Sequence, residues 1–156
     1  MLDEKILLAA RAAIRSELTT IPSQFIYLTP VIDFIDGMGD TEIQIAEAGA
    51  MYAPYDGSIV SDQFQIAVGI FRTIQLDTAN RADRALSLSG LNTSLFQLKK
   101  RIIEKLHGEF FEGTGAELTR PLTIMAELPV KKGGRAGIYL KEISFVGGIN
   151  VDWLSS

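Results

Sequence analysis

Few side chains in this sequence could carry chemistry, and their surroundings decide how they are read. The single histidine, His107, could act as a general base only beside a nucleophile, and no GxSxG-type pattern supplies one. At the end of a helical pattern it reads as a surface residue complementing the helix dipole. Asp33, Asp36, Asp40 and Glu42 gather around the turn DGMGD and could hold a hard cation such as calcium or magnesium. They lack the EF-hand spacing, and turns recruit aspartate for its hydrogen bonds to nearby backbone. No metal ligand, catalytic residue or cofactor is therefore assigned.

The glycines invite a phosphate-loop reading. DGMGD has no following lysine, and KKGGRAG at 131–137 lies between strand patterns. A phosphate cradle needs a strand-loop-helix context, so both read as hairpin turns. Lys99, Lys100, Arg101 and Lys105 decorate one helical segment, as a solvated face does. Arg81 and Arg84 fall in a long polar stretch, 77–90, and loops of that length in compact domains tend to be functional. They are read as partner contacts, as are Trp153 and Leu154 near the C-terminus, apolar residues that need something to pack on.

The elements around these residues follow from periodicity. Leu7, Ala10, Ile14 and Leu18, widened by Ile6, predict a helix over 3–18. QFIYLTPVIDFID at 24–36 reads as an edge strand, or as two short strands meeting at Pro30. TEIQIAEAGAMYAP reads as another short strand before a turn at Asp56-Gly57. Phe64, Ile66, Val68 and Ile70 alternate through a long central strand over 62–77, which extends beyond the sheet at one end. Leu91, Leu95, Leu98, Ile102 and Leu106 predict a second helix over about 92–107, closed by Gly108. A hairpin pairs 122–130 with 137–146, and glycines loosen the ending GGINVDWLSS. The expected fold is α+β, in the order α-β-β-β-α-β-β, with a mostly antiparallel sheet and two main helices on one face. Residues 1–148 form one domain and 149–156 an extension.

Composition sets the outer bounds. A chain of 156 residues, 47% of them hydrophobic, suffices for one core. Its mean hydropathy of +0.18 is high for a monomer and hints at subunit interfaces. A net charge of −4 argues against specific nucleic-acid recognition. The chain has no cysteine, which excludes disulfides, thiolate metal sites and a cysteine nucleophile. No signal peptide or membrane-spanning run is read, so the expectation is a soluble protein made in the cytoplasm, with no membrane partner.

Taken together, the amphipathic N-terminal helix, the strand broken at Pro30, the alternating FQIAVGIFRTIQL, the leucine-spaced helix ending IIEKLHGE and the final hairpin resemble the tail-terminator proteins of long-tailed bacteriophages. That family includes lambda-type terminators and the minor tail proteins of Mu-like phages. The resemblance spans about residues 3–146. It implies a non-enzymatic virion protein that forms a hexameric ring on itself, caps the tail tube protein and presents a face to head–tail connector and neck proteins. On that reading Arg81 and Arg84 face the lumen or the tube, and Trp153 and Leu154 dock on a neighbouring subunit. A tail-completion or connector subunit is an alternative within the class. Outside it stands a small-molecule-binding module, with a pocket between sheet and helices reached from Asp33, Asp36 and Tyr55.

Overall fold

The structure, a computed structural model, describes residues 2–35, 41–51, 53–55, 58–73, 95–115, 117–134 and 137–151. Among the described residues, two helices form where the apolar spacing requires them. Helix α1, Leu2–Glu17, turns Ile6, Ala10 and Ile14 inward, with Leu18 just beyond its end, and all four are fully buried. Helix α2, Leu95–Leu106, does the same with Leu95, Leu98, Ile102 and Leu106. Each buried leucine or isoleucine contributes about 1.5–3 kcal/mol relative to exposure. These stripes therefore outweigh any single polar contact in holding the helices down. Arg101 ties the helices together: its Nη2 donates to the Glu17 carbonyl at 2.6 Å and its Nε lies 3.5 Å from the Glu17 carboxylate. One member of the expected solvated face thus caps the C-terminal end of α1.

The strands are β1 Ile26–Leu28, β2 Thr41–Gly49, β3 Ala53–Tyr55, β4 Ser58–Thr73, β5 Arg120–Glu127, β6 Lys131–Lys132 and β7 Ile138–Val151. They form one seven-stranded sheet, ordered β1-β2-β4-β7-β5, with β3 also pairing β4 and β6 pairing β7. Every pairing is antiparallel except β1 with β2. Partners in register share a face. Ile43 and Ile45 of β2 lie opposite Ile70 and Val68 of β4, and Val68 and Ile66 lie opposite Ile143 and Phe145 of β7. This face meets both helices in a single core. The α+β class, the element order and the placement of both helices on one face are as the periodicity predicts.

The stretch 24–36 departs from expectation. A 3-10 turn, Ser23–Phe25, leads into β1, which stops after three residues. Because β1 runs parallel to β2, the chain must travel back along the sheet before β2 can start. Residues 29–35 begin that return as an extended strap over the face opposite the helices. Ile32 of the strap packs into the space above Gly69, where any Cβ would collide with its Cγ2. Phe34 lies against Gly134, whose φ of +92° also suits glycine, and a Cβ there would stand 2.8 Å from the Phe34 Cβ. Phe71, Ile138 and Leu140 form a small second core beneath Ile32 and Phe34.

Two further readings change. The strand expected after residue 40 is divided into β2 and β3, with a register shift between Glu47 and Gly49. Gly147 and Gly148 do not loosen the chain. They lie inside β7 and are buried, where a side chain would meet Leu118, Leu122, Thr119 and Arg120. Strand β7 continues to Val151, and Ile149 belongs to the main core. Among the described residues, no helix is long and apolar enough to cross a membrane.

Candidate functional site

The most buried polar side chain is Gln44, on the strap face of β2 and fully enclosed. Its amide pairs with the strap as a strand would. The Asp33 N–H donates to Oε1 at 2.9 Å, and Nε2 donates to the Asp33 carbonyl at 2.7 Å. Nε2 also donates to the Tyr27 hydroxyl at 3.0 Å, and that hydroxyl points to the Glu42 carboxylate at 3.5 Å. Burial pushes the Tyr27 phenol up, so it remains protonated and able to donate. This chain of partners satisfies buried groups and fastens the strap. Asp33 is exposed above it, on the side of the sheet away from the helices.

A second cluster joins α2 to β5. The Glu127 carboxylate lies 3.1 Å from Lys99 Nζ and 3.3 Å from Lys141 Nζ. Lys141 is buried and donates to the Leu128 carbonyl at 2.8 Å. The hydrogen bond from Lys99, then that from Lys141, hold the Glu127 carboxyl below the ordinary range against the opposing effect of burial. Lys99 also sits 5.0 Å above the Phe96 ring, a cation–π distance. Phe96, Lys99, Lys100, Ile103, Glu104 and Glu127 line a shallow groove of about 450 Å³. On the adjoining strand segment Met125 and Leu128 are 47% and 45% exposed. An apolar floor with charged residues around it is the anatomy of a protein-binding ledge.

The loop after α2 is built with unusual care. The Ile124 N–H donates to His107 Nδ1 at 3.2 Å, so His107 serves as an acceptor sealing the outer edge of β5. Gly108 N–H donates to the Leu122 carbonyl, and Leu122 N–H donates to the Glu109 carbonyl. Beyond this seal Phe111 adopts φ +55°, a left-handed conformation costing about 1–2 kcal/mol for a residue with a side chain. Burial of its ring, 4% exposed, offsets that cost. The Glu109 carboxylate accepts the Phe111 N–H at 3.0 Å, and the Phe111 carbonyl accepts from the Thr114 hydroxyl at 2.6 Å. The outcome is that Phe111 faces the core and its neighbour Phe110, 38% exposed, faces out between Glu109 and Glu112. Backbone N–H groups of the loop, first its own, hold the Glu117 carboxyl below the ordinary range.

The residues singled out in the sequence fare unevenly. Arg81, Arg84, Trp153 and Leu154 lie outside the described residues, as do Asp36 and Asp40 of the acidic turn. Asp33 and Glu42 are linked through Gln44 and Tyr27. Among the described residues no group of three or more His, Asp or Glu could hold a metal ion. Lys131 and Lys132, expected in the hairpin turn, form β6 and pair with β7, and the Gly133 N–H beyond them donates to the Ile138 carbonyl. Among the described residues, the space between sheet and helices holds enclosed side chains such as Ile14, Ile66, Ile102 and Phe145, and Asp33 stands on the other face of the sheet, against Gln44.

Sequence reasoning missed Gln44, Lys141 and Phe110. The adjacent pair Phe110-Phe111 was the available signal, since two large apolar side chains in a glycine-rich loop need something to pack on.

No family model matches the chain, and no curated protein matches it. One solved structure with a similar chain is described as "Virion of native gene transfer agent (GTA) particle". The match covers 90% of this chain and 94% of that one, at 12% identity and a TM-score of 0.46. A likeness this distant carries no argument about function.

Proposed function

We propose that this chain is a non-enzymatic structural protein of a phage-type virion, a ring-forming tail terminator at the head-proximal end of the tail tube. The observation that supports self-assembly is the apolar surface left on a well-packed chain. Met51 is 65% exposed and Val31 is 62% exposed, with Ile35, Met125 and Leu128 each near half. Val31 and Ile35 both stand on the strap, and Met125 and Leu128 lie three residues apart at β5 and its end, so these side chains group along the chain instead of scattering singly. The choice of a terminator within that class follows the resemblance in element order described above.

The mechanism is geometric. Different surfaces of neighbouring subunits meet head to tail, and such heterologous contacts close a ring when the rotation allows it. One ring face imitates a tube subunit and binds the last tube ring; the other does not, so addition stops and the neck can attach. Native mass measured by light scattering across a concentration series tests this. A closed ring, six copies in particular, is the expected result, and binding to purified tube protein rather than to head connector separates terminator from connector. A strict monomer at every concentration would defeat the reading.

A further inference from the structure

We propose that His107 is a pH-sensitive latch: neutral, it fastens the outer edge of β5 to the end of α2, and protonated, it releases that edge. The device is built into the single chain and goes beyond the assembly reading, on which it does not depend.

The geometry of the seam carries the inference. Among the described residues β5 ends the sheet on its side, and the loop leaving α2 stands where a further strand would. Gly108 and Glu109 exchange backbone hydrogen bonds with Leu122, at 2.6 Å and 2.9 Å. Two residues on, the Ile124 N–H donates to a side chain, His107 Nδ1, at 3.2 Å. An imidazole nitrogen accepts only while it keeps its lone pair. Protonation makes both ring nitrogens donors, and a donor set against the Ile124 N–H repels it, so the ring must turn away. Histidine is the side chain whose ordinary charge change falls between about pH 5 and 8.

The charged ring also has a place to go. His107 directly follows Leu106, the last residue of α2, where the helix dipole favours a positive charge. Each protonation state therefore has its own partner, the Ile124 N–H for one and the helix end for the other. The charged groups on the elements that meet here are otherwise engaged. Glu104 lies 3.9 Å from Lys100, and Lys105 and Glu112 line the groove against α1 with Lys5. The Glu109 carboxylate accepts the Phe111 N–H. On β5, Glu127 is held by Lys99 and Lys141, and Arg120 stands at the far end of the strand, opposite Gly148. With the latch open, β5 presents the Ile124 N–H at the sheet edge, the kind of group that recruits another strand.

The test is amide hydrogen exchange, read by NMR at Ile124 and Leu122 on the untagged full chain from about pH 5 to 8. Each rate is divided by the intrinsic rate at that pH. The chain has a single histidine, so every imidazole signal belongs to His107 and its titration is followed in the same samples. Protection at Ile124 should fall by about threefold to tenfold as the ring takes up its proton, while Leu122, bonded to a carbonyl that does not titrate, changes less. His107→Gln, whose amide oxygen accepts at every pH, should hold Ile124 protection level, and His107→Leu should leave it low throughout. Level protection at Ile124 in the wild type would overturn the latch, as would an equal fall at Leu122, the mark of a general loosening. A neutral wild-type ring with its proton on Nδ1 would overturn it too, because that tautomer cannot accept; the shifts of the two ring nitrogens show this with no substitution at all.

Discussion

Glu127 shows how one side chain links two elements through charge. It binds Lys99 of α2 and the buried Lys141 of β7 from its place on β5, so its proton affinity reports on all three. Its carboxyl is depressed in the folded state, chiefly by the hydrogen bond from Lys99. A depressed carboxyl contributes stability above its unfolded pKa, and that contribution is lost as pH falls through the folded value. The acid side of the stability profile should therefore steepen below the ordinary glutamate range. Glu127→Gln should flatten it there while costing stability at neutral pH, because the buried Lys141 then faces a neutral amide in place of a carboxylate. Urea unfolding midpoints at a series of pH values would show this; an unchanged acid limb would mean that the cluster is solvent-screened and energetically idle.

At the scale of elements, the strap of residues 29–35 carries the main lesson. Proline and polar interruptions in 24–36 marked a broken strand correctly, but the break is a change of layer: β1 ends and the chain crosses the sheet. Nothing local distinguishes the two outcomes. The hydrophobic alternation of Ile32 and Phe34 suits a strand edge equally well, and only the parallel pairing of β1 with β2 forces the return path. Gln44 fastens that path. Gln44→Leu removes three hydrogen bonds, each worth about 0.5–1.5 kcal/mol net. Water can replace part of the loss at exposed Asp33, so the expected cost is about 2 kcal/mol by denaturant titration. Hydrogen exchange at Asp33 should quicken at the same time. Equal protection in the variant would show that Ile32 and Phe34 hold the strap without the amide. The helices and the central strand were legible because their periods run for three or more turns or alternations. The alternating segment that became β5 was legible as well; its bulges and the short β6 were not, since bulges and two-residue strands follow from pairing partners rather than from local pattern.

For the whole molecule, the question is which parts belong to the monomer and which to an assembly. Ile149 is enclosed in the core and β7 runs to Val151, so a truncation that tests the tail must begin at Asp152. Removing 152–156 is expected to leave the melting temperature within a few degrees and to weaken ring formation through the loss of Trp153 and Leu154. Unchanged ring mass after that truncation would assign subunit contact to other surfaces. The sequence by itself determined the fold class, the two helix stripes and the face that β4 turns to the core. Those depend on side-chain periods that any apolar interior would select. Only the tertiary structure decided that 29–35 is a strap, that Gly147 and Gly148 are close-packing positions, and that Phe111 turns in so that Phe110 turns out. Each of these depends on which distant segment lies opposite, and the free energy of a contact exists only once both partners are in place.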